Sequence, residues 1–162
     1  MMRIVSRIVL GGLDDPRVVA LLRYHVDSAS AHTAPGSSHA LDLSGLKGPD
    51  IRFWTQWDGD DLVGMGALKT LSPDHGEIKS MHTVAAHRGR GAGRSMLDHI
   101  MAEARAAGMK RLSLETGSWD YFLPAHALYR RLGFVECPPF ADYRPDPNSV
   151  FMTADLTAPH PG

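Results

Sequence analysis

The 162-residue chain has no long apolar run, a single cysteine and almost no net charge. Each scarcity excludes something. A membrane-spanning helix needs about 20 consecutive apolar residues, and the longest runs here are a few residues, so no membrane partner is expected. Cys137 is the only cysteine and cannot close an internal disulfide, which points to a cytoplasmic location. Arg3 and Arg7 interrupt the apolar start, so residues 1–10 do not read as a signal peptide. There is no CxxC, no HExxH and no zinc spacing. The nine histidines are scattered, and no metal is expected. A net charge of −1 argues against bulk nucleic-acid binding.

What is present is ordinary globular composition, 43% hydrophobic and 22% charged, without internal repeats. A chain this long buries roughly 70% of its unfolded surface without staples. We expect one domain over residues 1–156 and a flexible tail over 157–162. Charge is uneven: Arg88, Arg90, Arg94, Arg105, Lys110 and Arg111 against Asp98 and Glu103 give residues 87–111 a charge of +4, leaving −5 elsewhere. A small anion suits that segment.

Pattern and punctuation predict strands over 4–10, 51–57, 62–71, 77–85, 111–116, 134–137 and 150–156. A helix follows Asp14 or Asp15 and Pro16, with Val18, Leu21, Leu22, His25 and Val26 at helical spacing. Residues 34–50 read as irregular with a short helix. Residues 93–107 form the clearest helix, with Met96, Leu97, Ile100, Met101 and Ala104 as its stripe and Gly108 as its stop. A further helix spans 124–132. Gly64 and Gly66 weaken a strand unless something packs closely there. The order β-α-α-β-β-β-α-β-α-β-β implies an α/β domain whose mixed central sheet has an antiparallel N-terminal half and a βαβ C-terminal half.

The most informative stretch is His87-Arg88-Gly89-Arg90-Gly91-Ala92-Gly93-Arg94-Ser95, between a strand and an amphipathic helix. Such a turn aims backbone N–H groups at one point, at the positive end of the helix dipole. Glycines let a phosphate approach the backbone, and three arginines add charge. It is not a P-loop, because Gly93 is followed by Arg94-Ser95. It is not the dinucleotide fingerprint, because Arg94 stands where the third glycine belongs.

Arg88-x-x-Gly91-x-Gly93 resembles the pyrophosphate signature of the GNAT superfamily of N-acetyltransferases. Further on, Ala125-His126-Ala127-Leu128-Tyr129-Arg130-Arg131-Leu132-Gly133-Phe134 resembles that family's second hallmark, A-x-x-L-Y-x-x-x-G-F. The stretches 35–42, 114–118 and 137–152 are similar to a bacterial subgroup, the uncharacterised YsnE-like acetyltransferases. The resemblance covers essentially the whole chain. It implies a GNAT-like sheet flanked by helices, acetyl-CoA as cosubstrate and a small amine as acceptor. The implied activity is acetyl transfer to a primary amine of a small molecule or amino acid, by direct attack in a ternary complex. The alternatives are a CoA-binding module without turnover, or an acetyltransferase acting on protein lysines or N-termini. A homodimer is left open.

The resemblance also implies site residues. Acetyl-CoA would lie in a V between the strands over 77–85 and 111–116. Backbone groups of Met81, His82 and Thr83 would bond the pantetheine arm, a bulge there aiming an N–H at the thioester carbonyl. Arg88, Gly89, Arg90, Gly91, Ala92, Gly93 and Arg94 would hold the pyrophosphate. Tyr129 matches the general acid that protonates the leaving thiolate. For the base there are Glu77, eleven residues before Arg88 as in histone-type members, Glu115 on the neighbouring strand, His82, or an ordered water chain. Many members carry Asn seven residues before the tyrosine; here it is Phe122, and a backbone carbonyl or the 118–121 loop would substitute. The acceptor would meet His39, Lys79, Arg144, Asn148 and Ser149. Lys79 and Arg144 suggest a substrate carboxylate, while the acidity outside the coenzyme segment equally admits a basic amine.

Overall fold

A computed structural model describes residues 6–158. The elements are β1 (Arg7–Leu10), α1 (Pro16–Ala31), α2 (Leu43–Leu46), β2 (Ile51–Asp58), β3 (Asp61–Ser72), β4 (His75–Thr83), α3 (Ala92–Ala106), β5 (Arg111–Gly117), α4 (Leu123–Arg131), β6 (Val135–Glu136) and β7 (Ser149–Asp155). The expected order of strands and helices holds. Most boundaries shift by one or two residues, and two local features were not expected. β4 stops at Thr83, because Ala85–His87 close into a 3-10 turn that lifts the chain off the sheet toward the glycines. A second 3-10 turn, Asp120–Phe122, precedes α4. Residues 4 and 5 of the expected first strand lie outside the described residues. So do residues 159–162 of the tail, while Thr157 turns back to bond the Asp155 carboxylate.

The described strands form one sheet in the order β1-β2-β3-β4-β5-β7-β6. β1 to β4 are antiparallel neighbours. α3 is the crossover that makes β4 and β5 parallel. β7 then inserts antiparallel between β5 and β6, so β5 and β6 run the same way without touching.

Each face of the sheet carries its own core. Asp15 caps α1 by accepting from Arg17 N at 2.9 Å, with Pro16 at the first helical position. The buried stripe of α1, Val18 and Leu22, packs with Leu46 on Phe53, Met65 and Ala67. On the other face, Met96, Leu97, Ile100, Met101 and Ala104 of α3 pack on Leu68, Ile78, Leu112 and Leu114. Gly66 is what lets α3 sit so close. A Cβ there would lie 2.9 Å from both Met96 Cγ and Ile100 Cδ1.

The functional consequence is in the pairing of β4 with β5. It covers only His75 with Arg111, Gly76 with Leu112 and Glu77 with Ser113. Beyond Glu77 and Ser113 the two strands part. Their facing backbone edges are left open, as β-strand addition requires.

Candidate active site

The splayed strands open a cleft of about 810 Å³. Its walls bring together Met81, His82 and Thr83 of β4, residues 87–94 of the glycine turn, Glu115 of β5 and Tyr129 of α4. His39 and Lys79 line it as well.

β4 carries the expected bulge. Met65 faces His82 and Ala67 faces Lys79, so Ser80 and Met81 together oppose Gly66. Ser80 takes φ +56°, a left-handed conformation rare for a side-chain-bearing residue. Beyond β4, Gly89 and Gly91 take φ +77° and +85°. Gly91 is the N-cap of α3 and supplies no side chain to its first N–H groups. A Cβ at Gly91 would meet nothing within 4 Å, so the space before those N–H groups is open. Arg88 is tied back to β4 through Nε and the Thr83 carbonyl at 3.3 Å. Arg94 pairs with Asp98 one turn on, at 3.7 Å. This is a cradle for an anion.

Tyr129 and Glu115 approach the cleft from the two faces of β5. Leu112 and Leu114 point into the α3 core, so Ser113 and Glu115 point to the α1 side. Tyr129 packs with the α3 core and tilts against Phe134, their centroids 5.8 Å apart. Burial, and secondarily the Glu115 charge, pushes its phenol up to about 12, so it stays protonated. Among the described residues its hydroxyl has no hydrogen-bond partner. Glu115 is half-buried, and desolvation raises its pKa. The Ser149 hydroxyl beside it pulls the other way, although it makes no hydrogen bond of good geometry.

Glu77 is placed differently from what its spacing suggests. It does not line the cleft. Its Oε2 accepts from Tyr143 OH at 2.6 Å and from Lys79 Nζ at 3.3 Å, and the residue is 2% exposed. Lys79 Nζ also donates to Tyr143 OH at 2.9 Å and to the His39 carbonyl at 3.3 Å. Burial and the Glu77 charge raise the Tyr143 pKa far above the ordinary phenol range. Asn148 is committed within its loop, bonding Asp146 Oδ1 at 3.0 Å through Nδ2 and accepting from Trp119 Nε1 at 2.9 Å. Arg144 is exposed and outside the cleft lining. At the family-asparagine position, Phe122 lays its ring on Gly117, so close that a Cβ there would be 2.0 Å away.

Three features escaped the sequence reading: the His25–His82 pair, His126 and the Tyr143 contact. His25, on the apolar stripe of α1, lies Nδ1 to Nδ1 with His82 at 2.9 Å. One ring donates its N–H to the other's lone pair. Burial first, and then each ring's charged neighbours, pushes both down to about 4. His126 on α4 sits 2.8 Å from the Gly117 carbonyl through Nε2 and ties that helix to the end of β5. A histidine on an apolar helix face was the signal for the first pair. Tyr143 carried none, because its partners are remote in sequence.

The family model of the acetyltransferase (GNAT) family matches residues 18–134. The uncharacterised N-acetyltransferase YsnE of Bacillus subtilis is 51% identical over 149 residues, spanning 92% of this chain and 99% of that one. A Klebsiella pneumoniae structure described as an acyl-CoA N-acyltransferase superposes with a TM-score of 0.79 at 31% identity, covering 94% and 98% of the two chains. A GNAT acetyltransferase from Elizabethkingia anophelis with acetyl-CoA bound shares the fold at 15% identity, with a TM-score of 0.68 over 93% and 97% of the chains. With the glycine turn, the split sheet and the tyrosine helix all in place, the chain belongs to the acetyltransferase (GNAT) family.

Proposed function

We propose that this protein transfers the acetyl group of acetyl-CoA to a primary amine in a ternary complex, with Glu115 accepting the amine proton and Tyr129 supplying the proton to the leaving sulfur. The observation that carries this reading is the pair itself. A carboxyl with a raised pKa and a phenol kept protonated face one cleft from opposite sides of β5.

The residues fit the cosubstrate. The uncapped N–H groups after Gly91 and the arginines around them suit a pyrophosphate. The open edge of β4 after Glu77 suits an amide-bearing arm that adds like a strand. Acetyl-CoA supplies an activated acetyl thioester. The relative holding acetyl-CoA on the same fold supports this choice.

The chain's own groups do the rest. A protonated amine has no lone pair, so a base must take its proton. Glu115 suits that role because its raised pKa brings it closer to the amine's. The bulge at Ser80 and Met81 interrupts the ladder, and in this reading a backbone N–H released there would meet the charge that grows on the carbonyl oxygen during attack. Tyr129 OH, without a hydrogen-bond partner among the described residues, is suited to donate the proton. The test is thiol release from acetyl-CoA over a panel of primary amines, with Tyr129→Phe in parallel. Turnover in the native chain and a loss of about 10²–10⁴-fold in kcat in the variant are expected. No thiol release with any amine, or full activity in Tyr129→Phe, refutes the proposal.

A further inference from the structure

We infer that the acceptor is a primary amine with an uncharged, hydrogen-bonding body and no carboxylate, and therefore not a free amino acid. The inference rests on the transferase reading above and narrows its substrate.

The cation that a substrate carboxylate would seek is Lys79, the lysine lining the cleft. An ammonium has three N–H donors. Lys79 spends all three inside the protein, on Glu77 Oε2, Tyr143 OH and the His39 carbonyl. Its charge is balanced by Glu77 at 3.3 Å, and its side chain is only 10% exposed. The remaining cations of the lining, Arg88, Arg90, Arg94 and Arg131, belong to the glycine turn and to the last turn of α4, the coenzyme end. His25 and His82 are held neutral at pH 7 by burial. On the acceptor side that leaves the Glu115 carboxylate and the ring of His39. A carboxylate placed there would find no lysine or arginine of the lining with a donor to spare outside the coenzyme end, only the His39 ring, and would be repelled by Glu115.

The neutral polar groups are in the opposite condition. Thr33 Oγ1, Ser80 Oγ and His82 Nε2 are buried, and none has a hydrogen-bond partner among the described residues. All three residues line the cleft. Buried donors and acceptors without partners are costly. Rotated toward the cleft that their residues line, these groups would pair with a hydroxyl or ring N–H on the acceptor, and an ammonium would be drawn to Glu115.

The experiment compares matched amines that differ only by the carboxylate: tyramine with tyrosine, and histamine with histidine. The readout is kcat/KM for thiol release from acetyl-CoA. The decarboxylated member is expected to be preferred by about 10- to 100-fold, the range for gaining or losing a bond to a charged group in a desolvated site. Glu77→Gln removes the charge that balances Lys79 and should shrink that ratio by about 10-fold. Tyr143→Phe frees one Lys79 donor and should shift the ratio the same way, by less; it serves where Glu77→Gln does not fold. Equal or better turnover of the amino acids by the native chain overturns the inference and leaves the transferase reading standing. Unchanged ratios in folded variants overturn the role given to Lys79 and Glu77. Thiol release with neither member of either pair, nor with any other primary amine of the panel, in a chain that still binds CoA, overturns the transferase reading and this inference with it.

Discussion

The His25–His82 pair makes stability depend on pH in a way that can be computed in advance. Both rings titrate at 6.5 when unfolded and at about 4 when folded. Below pH 6.5 the unfolded chain therefore holds protons that the native chain refuses. Stability is full above 6.5, falls as pH drops, and levels off below about 4. At pH 5, one ring with that shift costs about 2 kcal/mol, and two cost about 4 kcal/mol. His82 faces the cleft, where water softens its share, so the expected loss lies between those values. Against a typical total of about 5–15 kcal/mol this is large. The groups that face the pair reinforce the shift: Lys79 and His82 act on His25, and Arg88 acts on His82. The Tyr24 ring meets His82 edge-on, their centroids 5.6 Å apart, and excludes water there.

The assay is urea unfolding at pH 7 and pH 5, for the native chain and for the double variant His25→Gln, His82→Gln. The readout is the difference between the two pH values, so any constant cost of the substitutions cancels. His75 and His99 are also held low by burial, but they contribute equally to both proteins. The native chain should lose about 2–4 kcal/mol more than the variant between pH 7 and pH 5. Equal losses would refute the neutral pair.

Two further outcomes test the site. Glu115→Gln should lower kcat by about 10²–10⁴-fold near neutral pH and recover partly at high pH, where the amine is already unprotonated; Glu77→Gln should keep the native pH profile, and the reverse pattern in a pH–rate series would move the base to Glu77. Gly91→Val puts a branched side chain at φ +85°, where left-handed backbone costs it of order 1–2 kcal/mol, and fills the open space before α3; CoA affinity by calorimetry should fall at least about tenfold in a chain that still melts cooperatively.

The fold was legible because its signals are local. The α3 stripe is a run of 3.6-period apolar residues closed by a glycine. Asp15-Pro16 starts α1 within one residue of the expected place. Gly66 announced a close neighbour, and α3 is that neighbour. What sequence could not show was where β4 stops. Periodicity carries on through Val84 and Ala85, but the chain must leave the sheet to aim Gly89 and Gly91 at the cleft. The Ala85–His87 turn does that with a bond from His87 N to Val84 O at 2.9 Å, not with a residue type that advertises it.

The site divides along the same line. The glycine turn and the tyrosine helix are contiguous motifs, so their placement at the cleft could be read directly. Which carboxylate faces the cleft could not. Glu77 and Glu115 sit on adjacent strands, two residues apart in register, and point to the same face of the sheet. Spacing treats them as equivalent. What separates them is Tyr143, 66 residues away, which arrives from the β6–β7 connection and hydrogen-bonds Glu77. The loop is held over the sheet by Tyr143 and Phe140 packing on Phe151. Lys79 then completes the enclosure, and Glu77 is withdrawn from the cleft while Glu115 remains in it. The Tyr143–Glu77 pair that is withdrawn from the cleft also takes two of the three Lys79 donors. The proposed choice of base and the proposed exclusion of a carboxylated acceptor thus both trace to Tyr143, and Tyr143→Phe disturbs both together.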